Sequence, residues 1–398
     1  MRAIDPVLQH YAWGSTTAIP EALAAVPDGR PVAEAWYGAH SSAPSPVVTD
    51  GEPATLDRFI ADDPRRALGD DVAARFGGRL PYLLKLIAAA APLSLQVHPT
   101  REQAAAGFDG EEARGIPLED PRRSYKDRNH KPEIVYALSQ FEALVGFRAP
   151  RRTAEILAHV DHPVAKRLLD LVTADATSEG VRAAFTDLVG PGTRPAPEEV
   201  DELAQIFAAR LSEGSPSPRT DRAVATLAAA YPGDPGAITA VLLNPVTLRP
   251  GEACFVPAGS VHAYLRGSAI EVMANSDNVL RAGLTSKHVD IPELLRTVDC
   301  VAAPPIRIAA ERSFDATEVF YAPVDDFELS VTRLTDGRPA RLPGVGPRIV
   351  LCLEGACRLA AGGGETLEVS SGRAAFVEAA DGPLTVQGFG QLVQASVP

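Results

Sequence analysis

Up to about Pro150 the hydrophobic residues fall in short runs broken by clusters of Pro, Gly, Ser and Asp, as in Ser41-Ser42-Ala43-Pro44-Ser45-Pro46. This is the pattern of strands and turns. From Arg151 to Tyr231 the period changes: Ile156, Val160, Val164, Leu168 and Val172 recur at helical spacing, as do Val200, Leu203, Phe207 and Leu211. Pro195-Ala196-Pro197 and Ser215-Pro216-Ser217-Pro218 separate these helices, and Pro232-Gly233 ends the last one. Beyond Ile238 the β-branched runs return, among them Ala253 to Val256, Arg348 to Leu353 and Ala374 to Val377. Gly355, Gly362-Gly363-Gly364 and Gly372 punctuate short strands near the end, as in a small jelly roll. The pattern predicts a mainly β protein with a helical insert, built of jelly-roll β-barrels plus an α-helical domain. The expected division is 1–150 for the first part of a β domain, 151–236 for the insert, 237–315 for the remainder of that β domain, and 316–398 for a C-terminal jelly roll.

The chain has 398 residues, of which 45% are hydrophobic and 22% charged, enough apolar material for two or three packed units rather than one small domain. Its formal charge of −13 argues against nucleic acid or an anionic membrane surface as a partner, so any anion site must be a local basic pocket. The amino terminus lacks the pattern of a secretory signal, and the most apolar stretch, Leu83 to Leu95, is interrupted by Lys85 and Pro92 and is too short to span a bilayer. Cys254, Cys300, Cys352 and Cys357 have no paired zinc spacing and are read as buried reduced thiols. A cytoplasmic protein is expected.

Three segments carry candidate chemistry. In Leu93-Ser94-Leu95-Gln96-Val97-His98-Pro99, strand alternation turns Ser94, Gln96 and His98 to one face, though so short a pattern fits an ordinary core or surface histidine as well as a metal ligand. In Asn129-His130-Lys131-Pro132-Glu133-Ile134-Val135-Tyr136, Glu133 shares a face with Val135 and Ala137, so it must either meet a cation or bend out to solvent. Gly251-Glu252-Ala253-Cys254-Phe255-Val256-Pro257-Ala258-Gly259-Ser260-Val261-His262 runs a strand into a Pro/Gly turn, the form of the second cupin motif, with Arg266 where an Asn is usual. Two histidines, a glutamate and a glutamine suit a divalent ion such as zinc.

Together with Met273-Ala274-Asn275-Ser276-Asp277-Asn278-Val279-Leu280-Arg281, and with Tyr11-Ala12-Trp13-Gly14-Ser15 and Glu34-Ala35-Trp36-Tyr37-Gly38-Ala39-His40 nearer the start, these segments resemble the type I mannose-6-phosphate isomerase family of the cupin superfamily almost end to end. The resemblance implies a cytoplasmic isomerase acting as a monomer on mannose 6-phosphate and fructose 6-phosphate, with one zinc ion held by Gln96, His98, Glu133 and His262. It implies roles in ring opening or proton transfer for Arg281, Lys131, His130, Asp277 and Glu271, with Arg281 favoured for stabilising enediolate charge. Lys85, Tyr264, Lys287 and Ser94 are the expected substrate and phosphate contacts. The rival expectations are an iron-dependent cupin oxygenase and a non-catalytic sugar sensor, because one barrel supports many chemistries.

Overall fold

The computed structural model describes residues 1–48, 53–314 and 316–398. The long strand His262–Ala274 organises the first sheet. Its opening residues pair with Phe141–Phe147 and, through His262, with Gln96 of Leu95–Val97. Residues 267–274 pair instead with Tyr82–Ala89, and 269–273 also with Glu133–Ala137. The change of partner falls at a register shift between Tyr264 and Arg266, followed by Gly267 with φ of 115°. A Cβ at Gly267 would lie 2.4 Å from the carbonyl oxygen of Gln140, so only glycine fits the bend. One strand shared between two sets of neighbours curls the sheet into a barrel.

Beyond this strand the order runs Glu133–Ala137, Ala253–Val256 and Ile306–Ile308 on one side, and Tyr82–Ala89, Glu34–Gly38 and Val7–Gln9 on the other. Tyr82–Ala89 is buried on both faces, and its period of two divides it cleanly. Tyr82, Leu84, Leu86 and Ala88 face a core shared with Phe320, Leu329, Ile349, Phe376 and Val393 of the C-terminal unit. Leu83, Lys85 and Ile87 face into the barrel.

The second sheet runs Glu311–Phe314, Thr317–Phe320, Glu328–Leu334, Leu384–Ser396, Arg348–Ala361, Ala374–Val377, then Arg2–Ile4, Pro46–Val47 and Ala54–Thr55. The first strand of the chain thus pairs with Ala374–Val377, antiparallel with Arg2 opposite Phe376, outside the β domain that the sequence pattern suggested for it. The Met1 ammonium anchors it, 3.1 Å from both Glu365 and Asp381.

Helices Pro150–Leu157, Pro163–Ala174, Ser178–Val189, Pro197–Glu213 and Pro218–Ala230 bury Ile156, Val164, Leu168, Leu188, Leu203, Phe207 and Leu227 against Leu95, Val97, Leu144 and Leu280 of the barrel. The first 150 residues hold more helix than the strand-and-turn pattern predicts, notably Arg101–Ala113. That helix starts at a capping box between Thr100 and Gln103 and buries only Ala104 and Glu111, so no apolar stripe announces it.

Candidate active site

Strand geometry brings a histidine, a glutamate and a second histidine together inside the barrel. Glu133 begins its strand beside Val256, with Val135 and Ala137 on the same inward face. His98 follows Leu95–Val97 directly, and His262 opens the long strand after the turn at Pro257 and Gly259. One ligating atom from each of His98, Glu133 and His262 lies within 4.8 Å of the others, and all three residues are buried.

The hydrogen bonding of the imidazoles fixes their orientation. His98 Nδ1 lies 2.7 Å from the Asn278 carbonyl and His262 Nδ1 lies 2.9 Å from the Ser260 carbonyl, so each Nδ1–H donates to backbone. The two Nε2 atoms are therefore bare lone pairs, buried and without hydrogen-bond partners, 3.2 and 3.4 Å from the Glu133 carboxylate oxygens. Two lone pairs aimed at a carboxylate repel it in the absence of a cation, and a divalent ion satisfies all three. Burial, reinforced by the charge of Lys131, lowers the His98 pKa to about 4, which keeps it neutral. Burial pushes the Glu133 carboxyl up, and the charge of Lys131 acts against burial and favours the ionised form.

Above this cluster opens a cavity of about 460 Å³. Gln96 lines it, paired across the sheet with both His262 and Arg281, so its amide points to the same space as the cluster. Ser94, Lys131, Tyr264, Glu271, Asp277, Arg281 and Lys287 line it as well. Lys131 Nζ is 3.6 Å from Glu133. The Tyr264 hydroxyl lies 3.0 Å from carboxylate oxygens of both Glu133 and Glu271, which ties the cluster to the barrel wall.

Lys85 sits on the floor, 4% exposed, with Nζ 3.1 Å from Glu271, 4.0 Å from Glu34 and 5.0 Å from the centre of the Trp36 ring. Burial acts against its charge, but Glu34, Glu271 and Glu133 outweigh burial and raise its pKa above the usual lysine value. Its charge is engaged within the wall. Arg281 and Lys287 differ: both line the cavity, and neither has a carboxylate within 4 Å among the described residues.

His130 is not on the cavity wall. Its Nε2 lies 2.9 Å from Asp326 of the C-terminal unit and 2.7 Å from Arg101, because the backbone at Lys131 and Glu133 alternates inward while His130 alternates outward. This geometry gives His130 a bridging place between the two units.

Sequence reasoning overlooked Glu34, Trp36, His40 and Tyr231. Glu34 and Trp36 alternate inward from Ala35 and Tyr37, and their indole and carboxylate join at 2.6 Å. His40 is buried with Nδ1 accepting from Ser42 and Nε2 3.4 Å from Asp277, and burial lowers its pKa to about 4, so the ring beside that carboxylate is neutral. Tyr231 comes from the end of the helical insert and donates to the Pro92 carbonyl at 2.8 Å while lining the cavity. The alternation of residues 34–37 was a readable signal; nothing local marks Tyr231.

Residues 1–150 match the family model of the type I phosphomannose isomerase catalytic domain. The chain is 39% identical over 99% of its length to mannose-6-phosphate isomerase of Escherichia coli (strain K12), of which it covers 99%. It is 33% identical over 90% of its length to mannose-6-phosphate isomerase 1 of Arabidopsis thaliana, with 85% of that relative covered. Among solved structures, a mutant of phosphomannose isomerase from Salmonella typhimurium superimposes with a TM-score of 0.90 at 37% identity, covering 100% of this chain and 99% of that one. A zinc-bound mannose 6-phosphate isomerase gives 0.88 at 36% identity with the same coverage.

Proposed function

As the chain belongs to the type I mannose-6-phosphate isomerase family, we propose that the cavity above His98, Glu133 and His262 is the place where it interconverts mannose 6-phosphate and fructose 6-phosphate. The chain is an aldose–ketose isomerase with one zinc ion as cofactor. The observation that carries the reading is the pair of orphaned, buried Nε2 atoms facing a buried carboxylate beneath a polar cavity. His98, Glu133, His262 and the Gln96 amide would hold the ion. A neutral-plus-carboxylate donor set of this kind is one that zinc accepts with a position left for substrate.

Moving a hydrogen between C1 and C2 requires an open-chain sugar, a proton carrier and something to stabilise the enediolate. Lewis-acid polarisation of the C1 or C2 oxygen is what zinc supplies when bound. Lys131, beside Glu133, carries the proton. Asp277, on the cavity wall beside the His40 ring, is positioned to exchange a proton with a sugar hydroxyl during ring opening. Arg281 lies on the strand next to Gln96 and stabilises enediolate charge as a fixed cation. Glu271 and Tyr264 hold the wall around Glu133, and Lys287 gives the phosphate a cationic partner. Lys85 supports the floor instead of meeting the phosphate, since two carboxylates already flank it.

The finer placement is that of a monomer in the cytoplasm, linking mannose to activated-sugar synthesis. Every group assigned to the site comes from one chain, and the four cysteines are buried free thiols, as a reducing compartment keeps them. The test is a coupled assay of fructose 6-phosphate formed from mannose 6-phosphate, run on metal-replete protein, after chelation, and after zinc is returned. Turnover lost on chelation and restored by zinc supports the reading. A metal-replete protein that binds the sugar phosphate without converting it would overturn it.

A further inference from the structure

We infer that the cleft between the helix Pro218–Ala230 and the barrel edge is a second binding site, separate from the isomerase cavity, for a small phosphate ester that carries no aromatic base. The helix turns two faces to its surroundings. Thr220, Asp221, Ala223, Val224 and Leu227 are buried, while Arg219, Arg222 and Thr226 line a cavity of about 540 Å³. Arg266, exposed at the kink of the long strand, lines the opposite wall.

None of Arg219, Arg222 and Arg266 has a carboxylate within 4 Å among the described residues. The single carboxylate lining the cavity, Glu142, receives a hydrogen bond from Gln140. An adjoining cavity of about 390 Å³ shares Arg219 and Pro245 with the first and is lined by Arg148 and by Arg152, the latter paired with Glu155 at 2.8 Å. Arg148 is 5% exposed and donates to the Leu243 and Ala240 carbonyls and the Thr220 hydroxyl, all neutral acceptors. Its charge is thus buried against dipoles with no counter-anion, beside further arginines, in a chain of net charge −13. A concave cluster of this sign attracts an anion, and guanidinium forks match phosphate oxygens.

The walls narrow the class of ligand. Among the described residues no aromatic side chain lines either cavity, so a nucleobase has nothing to stack on. Ala88, Ala89, Ala90 and Ala143 leave room, and Ser15, Thr226, Thr247 and Ser268 offer hydroxyls to the oxygens of a small ester.

The test is calorimetric titration of the zinc-loaded enzyme with glycerol 2-phosphate and, separately, with inorganic phosphate. Saturable binding of the ester in the millimolar range or tighter is expected, weakened about tenfold or more in Arg219→Ser/Arg222→Ser. Both arginines are exposed, so the double variant keeps its fold. Its kcat and KM for mannose 6-phosphate stay at the wild-type values, and Arg219→Lys/Arg222→Lys retains part of the binding. Identical isotherms for wild type and the serine variant would overturn the inference. So would a loss of binding matched by a rise in KM, which would locate the ester in the isomerase cavity. Binding of inorganic phosphate alone, without the ester, would likewise overturn the assignment to an ester.

Discussion

Replacing Lys85 by methionine keeps the length of the side chain and removes a charge that two buried carboxylates share. Glu34, Lys85 and Glu271 are 7%, 4% and 2% exposed, so solvent screens none of them well. Removing one partner of a buried ion pair costs about 3–5 kcal/mol, because the opposite charge stays buried and uncompensated. Here the loss has an outlet: burial and Glu133 already raise the Glu271 pKa, and without Lys85 it rises further, so the folded variant takes up a proton there. A carboxyl whose folded pKa lies above its unfolded value is protonated only in the native state between the two, and stability falls by about 1.4 kcal/mol for each pH unit gained in that window. The raised pKa of Lys85 in the wild type contributes stability that is complete below the ordinary lysine value and is lost only at higher pH, so it stays constant near neutrality. The deficit of Lys85→Met should therefore shrink as the pH is lowered from about 7.5 to about 6. Urea denaturation of metal-stripped wild type and variant at both pH values measures it, and taking the difference cancels histidine protonation common to the two. A variant as stable as the wild type, or a deficit that grows on acidification, would refute the electrostatic account of the floor.

Three further substitutions test other parts of the structure. Glu133→Gln removes the charged donor between two orphaned imidazoles; purified protein should hold less than about a tenth of an equivalent of zinc by atomic emission, and full occupancy would contradict the ligand assignment. Arg281→Ala should lower kcat/KM about a hundredfold or more with zinc content intact, whereas loss of the metal too would mean that the arginine acts by holding the site together. Gly267→Ala forces a Cβ to within 2.4 Å of the Gln140 carbonyl at φ of 115°, and a loss of about 2–4 kcal/mol is expected in thermal unfolding of the holoenzyme. An unchanged melting temperature would show that the barrel does not need this bend.

The inward direction of Gln96, Glu133 and Lys131 was readable because strand alternation is a local rule, and the buried lysine at position 85 stood out within an apolar run for the same reason. What surrounds Lys85 was not readable. Its neighbour Glu271 lies opposite it across the sheet and Trp36 lies opposite it on the other side, pairings set by register between strands far apart in sequence. Without the two carboxylates in view, a buried lysine suggests a phosphate contact; the structure places Glu34 and Glu271 beside it. His130 meets Asp326 while its neighbour Lys131 meets Glu133, partners that the contiguous motif does not reveal. The pairing of Arg2–Ile4 with Ala374–Val377 joins the two ends of the chain and leaves no trace in either segment alone.

The segment 273–278 shows how such long-range pairings build the metal cluster. The Asn278 side-chain oxygen accepts from the backbone N–H of Lys126 at 2.7 Å, and its amide donates to the carbonyls of Asp127 and Asn129, both at 2.8 Å. Its own backbone carbonyl is the acceptor that holds His98 Nδ1. One fully buried asparagine thus fixes the loop leading into Lys131 and Glu133 and sets the tautomer of the histidine opposite Glu133. The Ser260 carbonyl does the same for His262 from the turn at Gly259. Both imidazoles are therefore oriented by backbone that is itself clamped, and neither can swing to satisfy its Nε2 elsewhere. The cluster carries its unpaired lone pairs in the ion-free state, and binding a cation removes that cost, so metal affinity and the stability of the barrel are linked by the same few hydrogen bonds.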